Sequence, residues 1–431
     1  MDSLVINGPG RLEGTVAISG AKNAALKVLC ASLLTPEGVR LSNIPTGIED
    51  VKVQLGMLES IGVRVVASGA EVCIDGSSIS GYEVIMDQEK GIRTSLLMLG
   101  ALLARFGEGR VPLPGGCTIG ERKYDLHIMV LEKLGATVKV SDDGFLEAEC
   151  DRLRGAEITF PLRTTGATEH AIIASCLAEG RTVLKNAHTR PEVFDLVRFL
   201  NTMGADIRIV GSGWIEIEGV KELHGTSYGI IPDSVEALTF IIAAAVTRGD
   251  IEIAECPLDA LEIPLIYLRE SGVRFDVAER SLRVTAPARL TALDISTGPY
   301  PGINSDFQPL FTAYATQAEG VSTITDIRFR DRFDYVTELL KMGARISREG
   351  NTIIIAGGTP LKSARVHACD LRAGAAVLIA GLCARGTTEI DNVYQIDRGY
   401  EEIDVKLKGL GVAIERRHPA GTSAAYADSM T

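Results

Sequence analysis

The stretch FLNTMGADIRIV, Phe199–Val210, reads as the end of a helix, a glycine, and a strand with apolar residues at alternate positions, Ile207 and Ile209. Gly204 falls where the helix stops, and a left-handed C-terminal cap is a backbone shape that glycine takes at little cost. The pattern is written six times. The other copies are MLESIGVRVV (Met57–Val66), VLEKLGATVKV (Val130–Val140), YLRESGVRFDV (Tyr267–Val277), ELLKMGARISRE (Glu338–Glu349) and KLKGLGVAIERR (Lys406–Arg417). Their glycines, 62, 135, 204, 272, 343 and 411, are 73, 69, 68, 71 and 68 residues apart, so the chain is a sixfold repeat.

A second helix punctuates the same period. It is rich in small apolar residues and also closes on glycine: LCASLLTPEG, LLARFGEG, IIASCLAEG, IIAAAVTRG, YATQAEG and LIAGLCARG end at Gly38, Gly109, Gly180, Gly249, Gly320 and Gly386. Each unit of about 70 residues thus reads strand, helix, strand, helix, strand. A helix that is apolar on every face must be buried. Six units exceed what one core encloses, which predicts two α/β (α+β) domains of three units each, with helices packed inside a shell of sheets. An open solenoid would leave the small-residue helices uncovered, and solenoid repeats are shorter.

Composition narrows the function. The 431 residues are 46% hydrophobic and 23% charged, which excludes disorder for the bulk of the chain. Lys and Arg number 44 against 56 Asp and Glu, a net charge of −12, which argues against a nucleic-acid or anionic-membrane binder. The longest strongly apolar runs, Ser95 to Ala104 and Ala237 to Val246, are too short to span a membrane. MDSLVINGPG has no basic segment and no long apolar one, so a cytoplasmic address is expected. Eight cysteines without a CxxC pair point to reduced thiols, and six histidines without a close pair indicate no metal. The polar tail 419–431 is expected to be disordered.

Function is sought where one unit departs from the shared pattern. Ser19–Ala25, SGAKNAA, sets Lys22 and Asn23 at the start of a buried helix, where backbone N–H groups already favour an anion. On its own the motif also reads as a helix cap with a solvated lysine. Pro112–Asp125, PLPGGCTIGERKYD, surrounds Cys117 with glycines and with positive charge that stabilises a thiolate. NSDFQ, Asn304–Gln308, puts Asp306 before another buried helix, where a cap is the ordinary explanation. Arg93, Arg332, Arg372 and Arg398 stand near helix starts in an acidic chain, as a pocket for a phosphate and a carboxylate would require.

SGAKNAAL, LPGGCTIG, the following Arg122 and DLH, GATE, NSDFQ, DLRA and IDRGYE together resemble the bacterial UDP-N-acetylglucosamine enolpyruvyl transferases, with the 5-enolpyruvylshikimate-3-phosphate synthases more distant. The resemblance runs from about Ile6 to Arg417. It implies the enolpyruvyl transferase fold, two domains of three βαβαββ units, divided as 1–21 with 231–418 and 22–230, with substrates in the cleft. It implies transfer of the enolpyruvyl group of phosphoenolpyruvate to a sugar-nucleotide hydroxyl with loss of phosphate, the first committed step of peptidoglycan precursor synthesis, without a cofactor. Lys22, Arg122 and Arg398 then hold the phosphate, and Arg93, Arg332 and Arg372 clamp the charged groups. Cys117 protonates the methylene carbon, Asp306 takes the hydroxyl proton, and Asn23 meets the acceptor sugar. Asp125, Thr164, Thr165, Gly166, Arg328 and Asp370 are further substrate contacts by the same resemblance.

The acceptor region departs from that family. A Ser-Val-Gly turn is replaced by Thr164-Thr165-Gly166, Arg-Glu-Pro-Glu by Thr189-Arg190-Pro191-Glu192, and Asp-Arg-Ile-Glu-Thr-Gly by Asp233-Ser234-Val235-Glu236-Ala237-Leu238. A paralogue acting on another nucleotide, such as uridine monophosphate, is therefore the alternative. A silent binding protein has no need of both a thiol acid and a carboxylate base, and the Cys117 loop sets the chain apart from the shikimate-type synthases.

Overall fold

In the computed structural model of the chain, which describes residues 2–86, 91–114 and 124–418, all six helix-ending glycines are left-handed, with φ from 87° at Gly343 to 102° at Gly272. The second series is less uniform. Gly180, Gly320 and Gly386 have positive φ, whereas the second unit turns at Gly107 (φ 80°) and the fourth at Arg248 (φ 57°). Gly249 serves close approach instead, since a Cβ there would lie 2.6 Å from the Leu12 carbonyl oxygen.

The repeat ends in a hairpin, one strand more than alternation alone predicts. In the third unit the order is Glu157–Thr159, Thr165–Ser175, Arg181–Lys185, Pro191–Thr202, Asp206–Ile209 and Trp214–Glu218, that is βαβαββ. Its first two strands pair parallel, Val183 opposite Glu157, and the hairpin folds back antiparallel, Leu184 opposite Ile215 and Ile215 opposite Ile209. The hairpin turn uses Gly211 and Gly213, both at positive φ.

One small-residue helix per unit lies in the core: α1 (Lys22–Ala31), α2 (Ser95–Phe106), α3 (Thr165–Ser175), α4 (Ser234–Val246), α5 (Gln308–Gln317) and α6 (Leu371–Cys383). In α4 every residue from Val235 to Val246 is buried, as its composition requires. Residues 2–18 and 232–418 form one compact unit around α4, α5 and α6, and the described residues of 19–231 form the other around α1, α2 and α3.

The sixth repeat has no last strand of its own. Ser3–Gly8 takes that place, antiparallel to Gly386–Asp391 with Leu4 opposite Ile390, and to Ile414–Arg417 with Ile6 opposite Ile414. Leu4 and Ile6 are fully buried there. Glu13–Ala17 then pairs parallel with Asp250–Ala254 of the same unit. No described helix is long and apolar enough to cross a membrane.

Candidate active site

In the unit of residues 232–418, two of the three core helices are capped alike. Asp233 accepts the backbone N–H of Val235 (2.7 Å) and Glu236 (3.1 Å), and Asp370 accepts those of Arg372 (2.7 Å) and Ala373 (3.0 Å). Helix α5 breaks the pattern. Its cap position is Phe307, with no side-chain hydrogen bond, so Asp306 does not cap it. The Asp306 carboxylate instead accepts Nη1 of Arg332 at 2.7 Å and lies 3.6 Å from Nε of Arg372. Arg332 also reaches Asp370, at 3.7 Å.

Both guanidinium groups are buried, Arg332 at 3% exposure and Arg372 at 0%. Burial opposes their charge, but Asp306 and Asp370 hold Arg332 protonated, and Tyr400, Asp306 and Asp233 do the same for Arg372. Nε of Arg332, and Nε and Nη2 of Arg372, have no hydrogen-bond partner among the described residues. Burying an ion costs several kcal/mol unless its donors are met, and these open donors leave the pair able to bond a further acceptor. Arg398 follows the short helix Tyr394–Asp397, its Nη1 3.2 Å from Gln395 Oε1. Arg416 grips Asp397 with two bonds of 2.8 and 2.9 Å and Asp404 with two of 2.8 and 3.3 Å, and so fixes that helix. Arg328 is exposed, 5.5 Å from the Phe329 ring.

In the unit of residues 19–231, Lys22 is not a solvated lysine. It opens α1 at 5% exposure, with Nζ 3.0 Å from Asp50 Oδ2. Sequence reasoning missed Asp50, which stands in the first turn of the helix Glu49–Ser60 and looks like an ordinary acidic helix start. Asn23 is half-buried, and its carbonyl accepts Nζ of Lys27 at 2.7 Å. Arg93, half-buried, precedes α2; Asp125 is exposed at the start of Asp125–Lys133.

Thr164, Thr165 and Gly166 begin α3. Thr165 Oγ1 is 2.8 Å from Nδ1 of His188, and Gly166 lets His127 come close, since a Cβ would lie 3.2 Å from its Nε2. His127 and His170 meet Nδ1 to Nδ1 at 3.0 Å, so one donates to the other. Burial pushes His170 down to about 3; burial, then His170 and Arg93, pushes His127 well below its ordinary value, and the pair is neutral at pH 7. The base at position 190 does not leave an uncompensated charge, because Arg190 grips Glu192 in a two-pronged pair of 2.6 and 2.7 Å. These histidines were also missed; the signal was three polar residues, Thr168-Glu169-His170, inside an otherwise apolar helix. Cys117 and Arg122 lie outside the described residues.

Glu169 is 1% exposed, 3.7 Å from Lys27, and neither carboxylate oxygen has a hydrogen bond among the described residues. Burial above all, and Glu192, raise it to about 7, against the pull of Lys27 and Arg190. A raised carboxyl binds its proton more tightly folded than unfolded, so stability is full below the unfolded value, about 4.3, and falls as pH rises toward 7. Glu169→Gln should flatten that decline, seen as a smaller drop in Tm between pH 5 and 8. An unchanged slope would assign the decline to other groups.

The chain matches the EPSP synthase (3-phosphoshikimate 1-carboxyvinyltransferase) family over residues 6–407. It is 43% identical over 417 residues to a UDP-N-acetylglucosamine 1-carboxyvinyltransferase of Trichlorobacter lovleyi, covering 96% of this chain and 99% of that one. It is 44% identical over 418 residues to UDP-N-acetylglucosamine 1-carboxyvinyltransferase 2 of Carboxydothermus hydrogenoformans, with the same coverage. Among solved structures, the enolpyruvyl transferase NikO from Streptomyces tendae superposes with a TM-score of 0.88 at 26% identity, over 97% of this chain and 99% of that one. An EPSP synthase from Acinetobacter baumannii shares the fold, with a TM-score of 0.76 at 18% identity, over 97% of this chain and 100% of that one. Sequence over nearly its whole length and a two-unit fold of six βαβαββ repeats agree: the chain belongs to the EPSP synthase family of carboxyvinyltransferases.

Proposed function

We propose that the chain transfers the enolpyruvyl group of phosphoenolpyruvate to a hydroxyl of UDP-N-acetylglucosamine, releasing phosphate. The observation that carries this reading is the carboxylate of Asp306 held between two buried arginines with unmet donors. It supplies a base beside a cationic pocket, and full-length relatives at 42–44% identity bear the name UDP-N-acetylglucosamine 1-carboxyvinyltransferase. In the addition step the acceptor oxygen bonds to C2 of phosphoenolpyruvate, its proton passes to Asp306, and Cys117 protonates the methylene carbon. In the elimination step that carbon returns a proton to the Cys117 thiolate, the C2–O bond to phosphate breaks, the Asp306 proton leaves with the phosphate, and the double bond reforms. Lys22, Arg122 and Arg398 receive the phosphate, and Arg93, Arg332 and Arg372 hold the remaining charge in place. Asn23, Asp125, Thr164, Thr165, Gly166, Arg328 and Asp370 are assigned to substrate contact.

A second acceptor, a smaller uridine nucleotide such as uridine monophosphate, is favoured by one observation: Thr165 is tied to His188, and Arg190 to Glu192, in the region that departs from the relatives' usual sequence. A pocket built to bond one acceptor rejects analogues strongly, because its buried polar groups are then left unpaired. Phosphate release with each acceptor decides. UDP-N-acetylglucosamine should give the higher kcat/KM in the wild type and in Arg190→Gln, chosen because glutamate there would crowd Glu169 and Glu192. A higher kcat/KM for uridine monophosphate would overturn the first reading, and no phosphate release with any acceptor would overturn both.

A further inference from the structure

The turn after the strand Val321–Thr325 holds a carboxylate that the reaction does not use. Asp326 is fully buried. One of its oxygens, Oδ1, accepts four hydrogen bonds: from the hydroxyls of Thr297 (3.0 Å) and Ser305 (3.1 Å), and from the backbone N–H of Arg328 (2.9 Å) and Phe329 (3.0 Å). The other, Oδ2, is buried with no hydrogen-bond partner among the described residues. Thr297 Oγ1 in turn accepts the Ile327 N–H at 3.1 Å. The backbone is fixed as well, since the Asp326 N–H donates to the Asn351 carbonyl (2.9 Å) and its carbonyl accepts the Asn351 side-chain amide (3.2 Å).

A turn that starts on aspartate needs only the two backbone bonds. The two hydroxyls come from a different loop, and that loop carries Asp306 directly after Ser305. The backbone donors, Arg328 and Phe329, open the turn that leads to Arg332. A single oxygen therefore ties together the two segments whose ends meet in the Asp306–Arg332 pair, 2.7 Å apart. Two hydroxyls from the Asp306 loop, added to the two backbone donors, go beyond what the turn itself needs and point to a role in holding that loop.

We infer that Asp326 is a positioning residue that sets the place of Asp306 against Arg332, and so tunes the proposed base without touching substrate. The inference rests on Asp306 acting as that base. Misplacing a reacting group by about 1 Å can cost about 10²-fold, so Asp326→Ala should lower kcat by about that factor. Asp326→Asn keeps the working oxygen and should retain more turnover than the alanine variant. Because alanine leaves four donors unmet and can unfold the turn, Ser305→Ala, which removes one donor, is the gentler probe, with an expected loss of about 3- to 10-fold.

The decisive measurement is a double-mutant cycle on kcat. If Asp326 acts through Asp306, neither Asp326→Ala nor Ser305→Ala should lower kcat further in an Asp306→Asn background. A merely structural role would give additive losses, and additivity would overturn the inference. So would wild-type kcat in both single variants. Near-normal turnover of Asp306→Asn alone would instead overturn the reading of Asp306, which separates the two failures.

Discussion

Asp306→Asn should lower kcat by about 10²–10⁴-fold, the usual contribution of a positioned base. The amide keeps an oxygen for the Arg332 bond but cannot take a proton at neutral pH. It also removes the charge that faces two buried guanidinium groups, so apo stability should fall, and Tm is best compared with phosphoenolpyruvate present. The check is steady-state phosphate release on variant protein that is folded by circular dichroism. Near-normal turnover would leave Asp306 a structural partner of Arg332.

An electrophilic epoxide phosphonate, fosfomycin, should add one covalent mass, on the peptide that contains Cys117. Of the other seven cysteines, Cys176, Cys256 and Cys383 have thiols pushed up to about 12, and Cys369 to about 11, by burial; Cys30 and Cys150 are raised as well. At pH 8 a thiol of pKa 11 is about one part in a thousand thiolate, and the thiolate is the nucleophile. Cys117→Ala should lose both the adduct and about 10²–10⁴-fold of turnover, whereas Cys117→Asp, still a proton donor, should lose the adduct and keep turnover. Peptide mapping by mass spectrometry decides, and labelling that survives Cys117→Ala would sink the assignment.

Much of this architecture is legible before any coordinates, because it rests on local rules. Six glycines mark six left-handed helix ends, and helices apolar on every face announce the core. The hairpin was harder to see, since a period-2 pattern runs through both its strands and only Gly211-Ser212-Gly213 marks the turn. The site divides in the same way. Lys22 and Arg372 are conspicuous as charges at the starts of apolar helices, and Arg332 in the turn before Tyr335–Lys341, but their partners are distant in sequence: Asp50 for Lys22, and Asp370 for Arg332. Asp326 shows the limit most plainly. In sequence it is an acid after a strand, and its meaning comes from hydroxyls 21 and 29 residues away.

The borrowed strand Ser3–Gly8 has a consequence for how the protein is made. The described residues of 19–231 include every described strand and helix of their own unit, so that unit can fold while the rest is still on the ribosome. The other unit cannot. Its strand Ser3–Gly8 is made long before its partners Gly386–Asp391 and Ile414–Arg417, which follow nearly four hundred residues later. Its apolar side chains Leu4, Val5 and Ile6 thus stay unpaired until those partners are made, and are a natural client for a chaperone. Moving that strand behind Arg417 by circular permutation would turn the sixth repeat into a local hairpin and end the wait.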